Sequence, residues 1–258
     1  MAVELRRKFK KLRDSRDVFG LAGGLKVLLH SKLRFAPWDL FSLQIPGVQH
    51  EVYGRTRTSD PWVLQQIFLD HEYAPIDDEE HVSFVLDCGA NVGYSSIYFL
   101  NRFPGCRVLA VEPDIESVSL LRKNLEPYGQ RAQVVAAGVW SRPTALVLVR
   151  NDEAWTTRVR AARPDETGDL EGVDIPTLLR YSGFDRVDVL KMDIEGSEAE
   201  VFSGDVGCWL SSVRTLVLEI HDDRSSSIVH GAIADYDCRK CTSGELWIFR
   251  DIKRQPSR

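Results

Sequence analysis

At 258 residues, with 43% hydrophobic and 28% charged residues, the chain suits one α/β domain with an appendage and a sizeable core. Its formal net charge of −5 gives no overall case for a nucleic-acid partner, and no uninterrupted apolar run reaches transmembrane length. Five scattered cysteines, an odd number, fit a reduced cytoplasmic protein better than a disulfide framework.

The first 34 residues differ from the rest, with ten Lys and Arg against Glu4, Asp14 and Asp17. Their basic run precedes Val18 to Leu29, which is apolar apart from Lys26. Lys26 and the lack of a small-residue cleavage site argue against a signal peptide. A solvated basic helix is expected, with peripheral contact at the inner face of a membrane as the alternative. Next, Phe41 to Ile45 and Val48 to Tyr53 flank Pro46-Gly47 and read as a β-hairpin. Residues 1–60 are therefore taken as an appendage and 61–258 as the main domain. Ser59-Asp60-Pro61 starts a helix that runs through Leu64, Ile67 and Phe68.

Val82 to Leu86 reads as a short buried strand, and the sequence from Gly93 onward as an amphipathic helix. Between them lies Asp87-Cys88-Gly89-Ala90-Asn91-Val92-Gly93, a turn whose glycines admit positive φ and close ligand approach. Strand, glycine turn and helix start together predict a nucleotide-binding corner. The loop does not spell the dinucleotide pattern G-x-G-x-x-G. Asp87 would repel a pyrophosphate and attract a cation, and no Lys or Arg lies between residues 82 and 101. S-adenosyl-L-methionine, with an ammonium and a sulfonium but no phosphate, suits this loop.

A second strand, Arg107 to Val111, leads to Glu112-Pro113-Asp114. Glu112 lies 23 residues beyond Gly89, where a doubly wound fold places the acid that accepts ribose hydroxyls. Helix Ile115 to Leu125 follows, then a strand Gln133 to Gly138 whose small residues, including Ala137, leave room for adenine. Thr144 to Val149 and Trp155 to Val159 read as antiparallel excursions, Asp165 to Gly172 as an acidic connector, and Ile175 to Tyr181 as a helix.

In the strand Val187 to Met192, alternation puts Val189, Lys191 and Asp193 on one face. A fourth strand of such a sheet lies beside the first, so Asp193 should face the same crevice as Asp87. Glu195 and Glu198 start the next helix, where carboxylates favour the positive end of the dipole. A fifth strand, Val213 to Ile220, brings His221 to the same rim as a general-base candidate. Tyr236 to Lys240 and Glu245 to Phe249 flank Ser243-Gly244 as a closing hairpin. Cys238 and Cys241 have zinc-like spacing but no second pair, so no zinc site is expected.

Taken in order, Val85 to Ser96, Val111 to Asp114, Leu190 to Glu198 and Leu218 to Asp222 resemble the FkbM-type S-adenosylmethionine-dependent methyltransferases. Trp62 to Tyr73 and Ala234 to Arg250 are similar too, so the resemblance covers residues 40–250. It implies a Rossmann-like class I methyltransferase fold, with a seven-stranded mostly parallel sheet and an antiparallel last strand. It also implies O-methylation of a hydroxyl on a sugar, glycolipid, polysaccharide or natural product. By motif, Asp87, Gly89, Asn91 and Gly93 match the cofactor loop, Glu112 the ribose acid, and Asp193 with Glu195 the acidic block. The stretch between His221 and Tyr236 is shorter than the family's usual.

The expected cofactor set is thus Asp87, Gly89, Ala90, Asn91, Gly93, Tyr94, Ser95, Glu112, Pro113, Asp114 and Ala137. The expected catalytic set is Asp193, Glu195 and His221. No metal is expected, although Asp193, Glu195 and Asp222 form a conceivable divalent site. A nicotinamide-dependent oxidoreductase and a non-catalytic nucleoside-binding protein on the same fold are the alternatives.

Overall fold

A computed structural model describes residues 40–150 and 157–255, and backbone contacts divide the chain into two compact units, 1–74 and 75–258. The basic segment 1–34 and Trp155 lie outside the described residues. No helix among the described residues is long and apolar enough to cross a membrane.

In the first unit, β1 (Leu40–Leu43) and β2 (Val52–Arg55) pair antiparallel, as the hairpin signal predicts. Helix α1 (Asp60–Phe68) follows, with Pro61 in its first turn. Ser59 makes no side-chain cap here. The buried Asp60 carboxylate instead receives the Arg55 backbone N–H at 2.7 Å and its guanidinium at 2.9 and 3.0 Å. This two-pronged, charge-assisted link fixes the helix start to the end of β2.

Along the second unit run β3 (Phe84–Cys88), α2 (Tyr94–Arg102), β4 (Arg107–Glu112), α3 (Ile115–Leu125), β5 (Ala132–Ala136), β6 (Gly138–Val139), β7 (Thr144–Arg150), β8 (Thr157–Ala161) and β9 (Leu170–Val173). Then come α4 (Ile175–Ser182), β10 (Val187–Met192), α5 (Glu198–Ser203), β11 (Val213–Glu219), α6 (Asp223–Ile233), β12 (Tyr236–Ser243) and β13 (Leu246–Arg254). Seven strands form one sheet in the order β12-β13-β11-β10-β3-β4-β5. The strands from β11 to β5 are parallel, while β13 runs antiparallel to both neighbours. This is the expected class I methyltransferase order, with β3 and β10 side by side where the chain reverses direction across the sheet.

Burial on both faces explains the near-continuous apolar runs of the central strands. One face carries Leu86, Leu109, Leu190 and Leu216 into a core closed by Leu178 of α4, Phe202 of α5 and Ile233 of α6. Alternation sends Asp87 and Lys191 to the other face, where Ser95 and Ser96 of α2 meet Asp87.

A second sheet, ordered β6-β9-β7-β8, occupies the span between β5 and α4. Its β7–β8 pair is antiparallel, in keeping with the expected excursion. Two expectations change here. The strand read as continuous to Gly138 divides, and Gly138–Val139 joins the smaller sheet. The acidic connector ends in a strand, β9. A Cβ at Gly172 would lie 2.9 Å from Leu146, and one at Gly168 would lie 2.8 Å from Ala145. These glycines admit close backbone approach to β7 and do not mark a loose linker.

Candidate active site

The glycine turn at the end of β3 is fixed mostly by its own protein neighbours. Gly89 and Ala90 donate their N–H groups to the Val111 carbonyl at 2.9 and 3.0 Å, and Gly93 N–H bonds to Ala90 at 2.7 Å. Asn91 N–H reaches the Glu112 carboxylate at 2.8 Å. Gly89 has φ +77, and a Cβ there would stand 1.7 Å from the Asp193 carbonyl oxygen. Gly93 has φ +93, and its Cβ would meet Leu121 at 2.7 Å. Both glycines therefore make room for protein on the side where a Cβ would stand.

Asp87 lies wholly beneath this turn. One carboxylate oxygen accepts the Ser95 and Ser96 hydroxyls, each at 2.6 Å, and the other lies 3.4 Å from Lys191 Nζ. The Lys191 ammonium also donates to the Gly89 carbonyl at 2.6 Å and lies 3.6 Å from Asp193. A fully buried, already neutralised carboxylate does not meet a cofactor ammonium directly, so Asp87 supports the loop from below. Ala90, Tyr94 and Ser95 are likewise buried, as is Ala137. They shape the corner without lining its surface.

Glu112, Pro113 and Asp114 follow at the end of β4, which lies beside β3 on the side away from β10. The two Glu112 oxygens receive Asn91 N–H and Asp114 N–H, at 2.8 and 2.9 Å. Burial pushes the Glu112 carboxyl up to about 7, against the pull of those two N–H groups. Asp114 caps α3 by accepting Glu116 N–H at 3.2 Å. The next side chain, Ile115, is 64% exposed, an unusual position for a large apolar group.

Across the sheet, β10 and β11 deliver a dense group of acids. Asp193 Oδ1, Glu195 Oε2 and Glu219 Oε1 each lie 3.6 Å from His221 Nε2. On the other side of the ring, Nδ1 meets the fully buried Glu198 Oε1 at 2.9 Å. Glu198 Oε1 also receives the N–H groups of Ile194 and Gly196, each at 3.3 Å. The helix-capping role expected of Glu198 thus comes with a second one, orienting His221. Glu195 sits in the left-handed region at φ 53, in the turn ahead of α5. A charged residue held there is a local strain that presents its carboxylate at the rim.

Burial opposes a charge on His221, but the Glu198 hydrogen bond and the charges of Glu198, Asp193 and Glu195 outweigh it, pushing the imidazole up to about 9. This shift favours the protonated ring and, of the two base candidates, tells for Asp193 over His221. Burial and then Asp193 raise the Glu195 carboxyl, against the pull of His221 and Arg158. Burial and Asp193 raise Glu219 in the same way.

Residues 87–240 match the family model described as Methyltransferase FkbM domain. The chain belongs to this family. It is 26% identical over 246 residues to the AMB antimetabolite synthetase AmbE of Pseudomonas aeruginosa, covering 78% of this chain and 11% of that protein. It is 28% identical over 201 residues to Methyltransferase sdnD of Sordaria araneosa, covering 65% of this chain and 77% of that one. Methyltransferase 1 of Beauveria bassiana is 26% identical over 189 residues, with 63% and 74% covered. This chain thus spans a small part of the synthetase and about three quarters of the two methyltransferases.

Family membership makes this an S-adenosylmethionine-dependent methyltransferase and gives the acid-rich rim its context. Asp193 and His221 converge there, as the strand ends predict, and Glu195 joins them from the turn ahead of α5. Asp222 does not join them, because its carboxylate caps α6 through Ser225 N–H at 2.7 Å and Ser225 Oγ at 3.1 Å. Glu219 takes its place. Simple alternation from His221 back along β11 would have found it, since residues two apart share a face. Alternation puts Lys191 on the correct face, while its pairing with Asp87 comes only from the fold. Cys238 packs against the core while Cys241 is exposed, so their spacing along β12 does not bring them to one ion.

Proposed function

We propose that this FkbM-family chain transfers a methyl group from S-adenosylmethionine to a hydroxyl of a sugar, glycolipid, polysaccharide or natural product. The observation that carries the reading is the meeting of Asp193, Glu195, Glu219 and His221 beside the glycine corner, at the carboxyl ends of adjacent central strands.

The donor set favours this cofactor over a dinucleotide. Four turn N–H groups that might cradle a pyrophosphate are already bonded to Val111, Glu112 and Ala90. The corner instead offers acceptors, Glu112 and Asp114, suited to ribose hydroxyls, while the acidic rim suits the sulfonium, a charge that S-adenosylhomocysteine lacks. Ile115, three residues after Glu112, provides an exposed apolar surface for a flat base. When bound, S-adenosylmethionine supplies a methyl group activated on a positively charged sulfur.

The protein's task is then position, electrostatics and a proton acceptor. Asp193 and Glu195 are both about one-third exposed and can be reached by an acceptor hydroxyl. Either carboxylate can take the hydroxyl proton as its oxygen becomes nucleophilic. His221, clamped by Glu198, holds these carboxylates in register and balances part of their charge. The similar synthetase is named for making an antimetabolite, which agrees with a small-molecule acceptor.

Incubation with methyl-labelled S-adenosylmethionine and a cell extract, followed by mass analysis of the labelled product, tests the reading. An alkali-stable methyl ether is expected. Label recovered only on nitrogen or carbon would overturn O-methylation.

A further inference from the structure

We propose that Asp193, Glu219 and His221 form a divalent-cation site that holds the acceptor oxygen. The proposal rests on the methyl-transfer reading and adds a ligand to the same rim.

The geometry comes first. One ligand atom from each of the three residues can be chosen so that all lie within 4.8 Å of one another. His221 Nε2 stands 3.6 Å from both Asp193 Oδ1 and Glu219 Oε1. Nitrogen and oxygen ligands ~2.2 Å from an octahedral ion such as Mn²⁺ lie about 3.1 Å apart on adjacent positions, so the side chains would close in by about 0.5 Å. The spacing therefore needs little adjustment to accept an ion.

The surroundings orient the ring for this role. Glu198, fully buried behind the ring, bonds Nδ1 at 2.9 Å, and its other oxygen has no hydrogen-bond partner. A carboxylate on one imidazole nitrogen turns the other toward a metal as a ligand, the usual arrangement around metal-bound histidine. Carboxylate charge gathered at one point also needs compensation. Lys191 is shared among Asp87, the Gly89 carbonyl and Asp193, and the single His221 imidazole faces four carboxylates, so Asp193, Glu195, Glu198 and Glu219 are only partly compensated. A dication would balance them.

One imidazole and two carboxylates suit Mn²⁺ better than Mg²⁺, which prefers an all-oxygen shell. The open positions would take water or the acceptor hydroxyl. As that hydroxyl's O–H bond breaks, its proton passes to the Glu195 carboxylate. The negative charge left on oxygen is stabilised by the ion. Glu195 lies 3.6 Å from His221 Nε2, beside the proposed ion position but outside the three ligands.

The test is a Mn²⁺ titration of the full chain saturated with S-adenosylhomocysteine, with free Mn²⁺ followed by electron paramagnetic resonance. We expect one saturable ion per chain, held at least tenfold less tightly in both Glu219→Gln and His221→Gln. Glu219→Gln keeps the His221–Glu198 pair intact and decides the matter if His221→Gln folds poorly. S-adenosylhomocysteine affinity, measured in the same samples, should stay within about threefold of the parent. A wild-type chain without a saturable site would overturn the proposal, as would a site undiminished by Glu219→Gln or methyl transfer unaffected by chelation. If S-adenosylhomocysteine binds while Mn²⁺ does not, the cation site fails and the transferase reading survives. If S-adenosylhomocysteine does not bind, that reading fails first.

Discussion

The two walls of the crevice are built on opposite electrostatic terms. At the glycine corner, the polar groups that define the turn are matched: Asp87 by Ser95, Ser96 and Lys191, Glu112 by two backbone N–H groups, and Gly89 and Ala90 by Val111. At the rim, four carboxylates surround one imidazole, three of them at 3.6 Å, and the rim acids are about a quarter to a third exposed. The first wall is a finished scaffold that a cofactor can dock against. The second holds a surplus of negative charge, which is tolerable where cationic groups and a departing proton are to be met. Stability and reactivity are thus assigned to different sides of the same strand ends.

That contrast can be broken most severely at Gly89. Gly89→Ala would set a Cβ 1.7 Å from a backbone oxygen while forcing a positive φ, so the chain should fail to give a cooperative thermal transition. Asp87→Ala comes next. It leaves Lys191 buried beside two serines that have lost their acceptor, and a cost of ~3–5 kcal/mol is expected in denaturant unfolding. S-adenosylhomocysteine affinity should fall with it because the loop is undermined. Unchanged stability and affinity would show that the corner does not depend on this pair.

Two smaller effects sharpen the comparison. Glu112 is raised to about 7, and the proposed role as acceptor of two ribose hydroxyls calls for its ionised form. S-adenosylhomocysteine affinity should therefore fall as pH drops through 7, by roughly tenfold per unit at the limit, and Glu112→Gln should flatten the profile. For stability the sign is reversed. A carboxyl raised on folding favours the folded chain most below its unfolded value, and that advantage is lost as pH rises towards 7. On the other wall, Glu195→Gln removes one charge from the surplus and relaxes nothing structural. It should raise the melting temperature by ~2–4 °C. A drop of similar size would mean that the rim is a stabilising network after all.

Much of this was legible in the sequence because it depends on periodicity and local turn chemistry. Apolar runs of five to seven residues gave the parallel core strands, and the alternation Val189, Lys191, Asp193 gave the correct face. The convergence of Asp193 with His221 followed from strand order alone. What escaped depends on side-chain contacts across distant strands. Nothing local in Asp87 says that Lys191, 104 positions later, will neutralise it, nor in Gly89 that a carbonyl from after β10 will occupy its open side. The parts played by Glu219 and Asp222 are hidden for the same reason. Both are acids beside His221, and only the start of α6 commits one of them to capping Ser225.

The division of labour between the walls is tested most directly by measuring turnover and S-adenosylhomocysteine affinity side by side for Glu195→Gln and Asp193→Asn. The labelled acceptor recovered from extract serves as substrate. Loss of a proton acceptor should lower turnover by ~100-fold in at least one of the two variants, with affinity within about threefold of the parent and the thermal transition intact. Turnover near the parent's in both variants would contradict the account, as would affinity that falls in step with turnover.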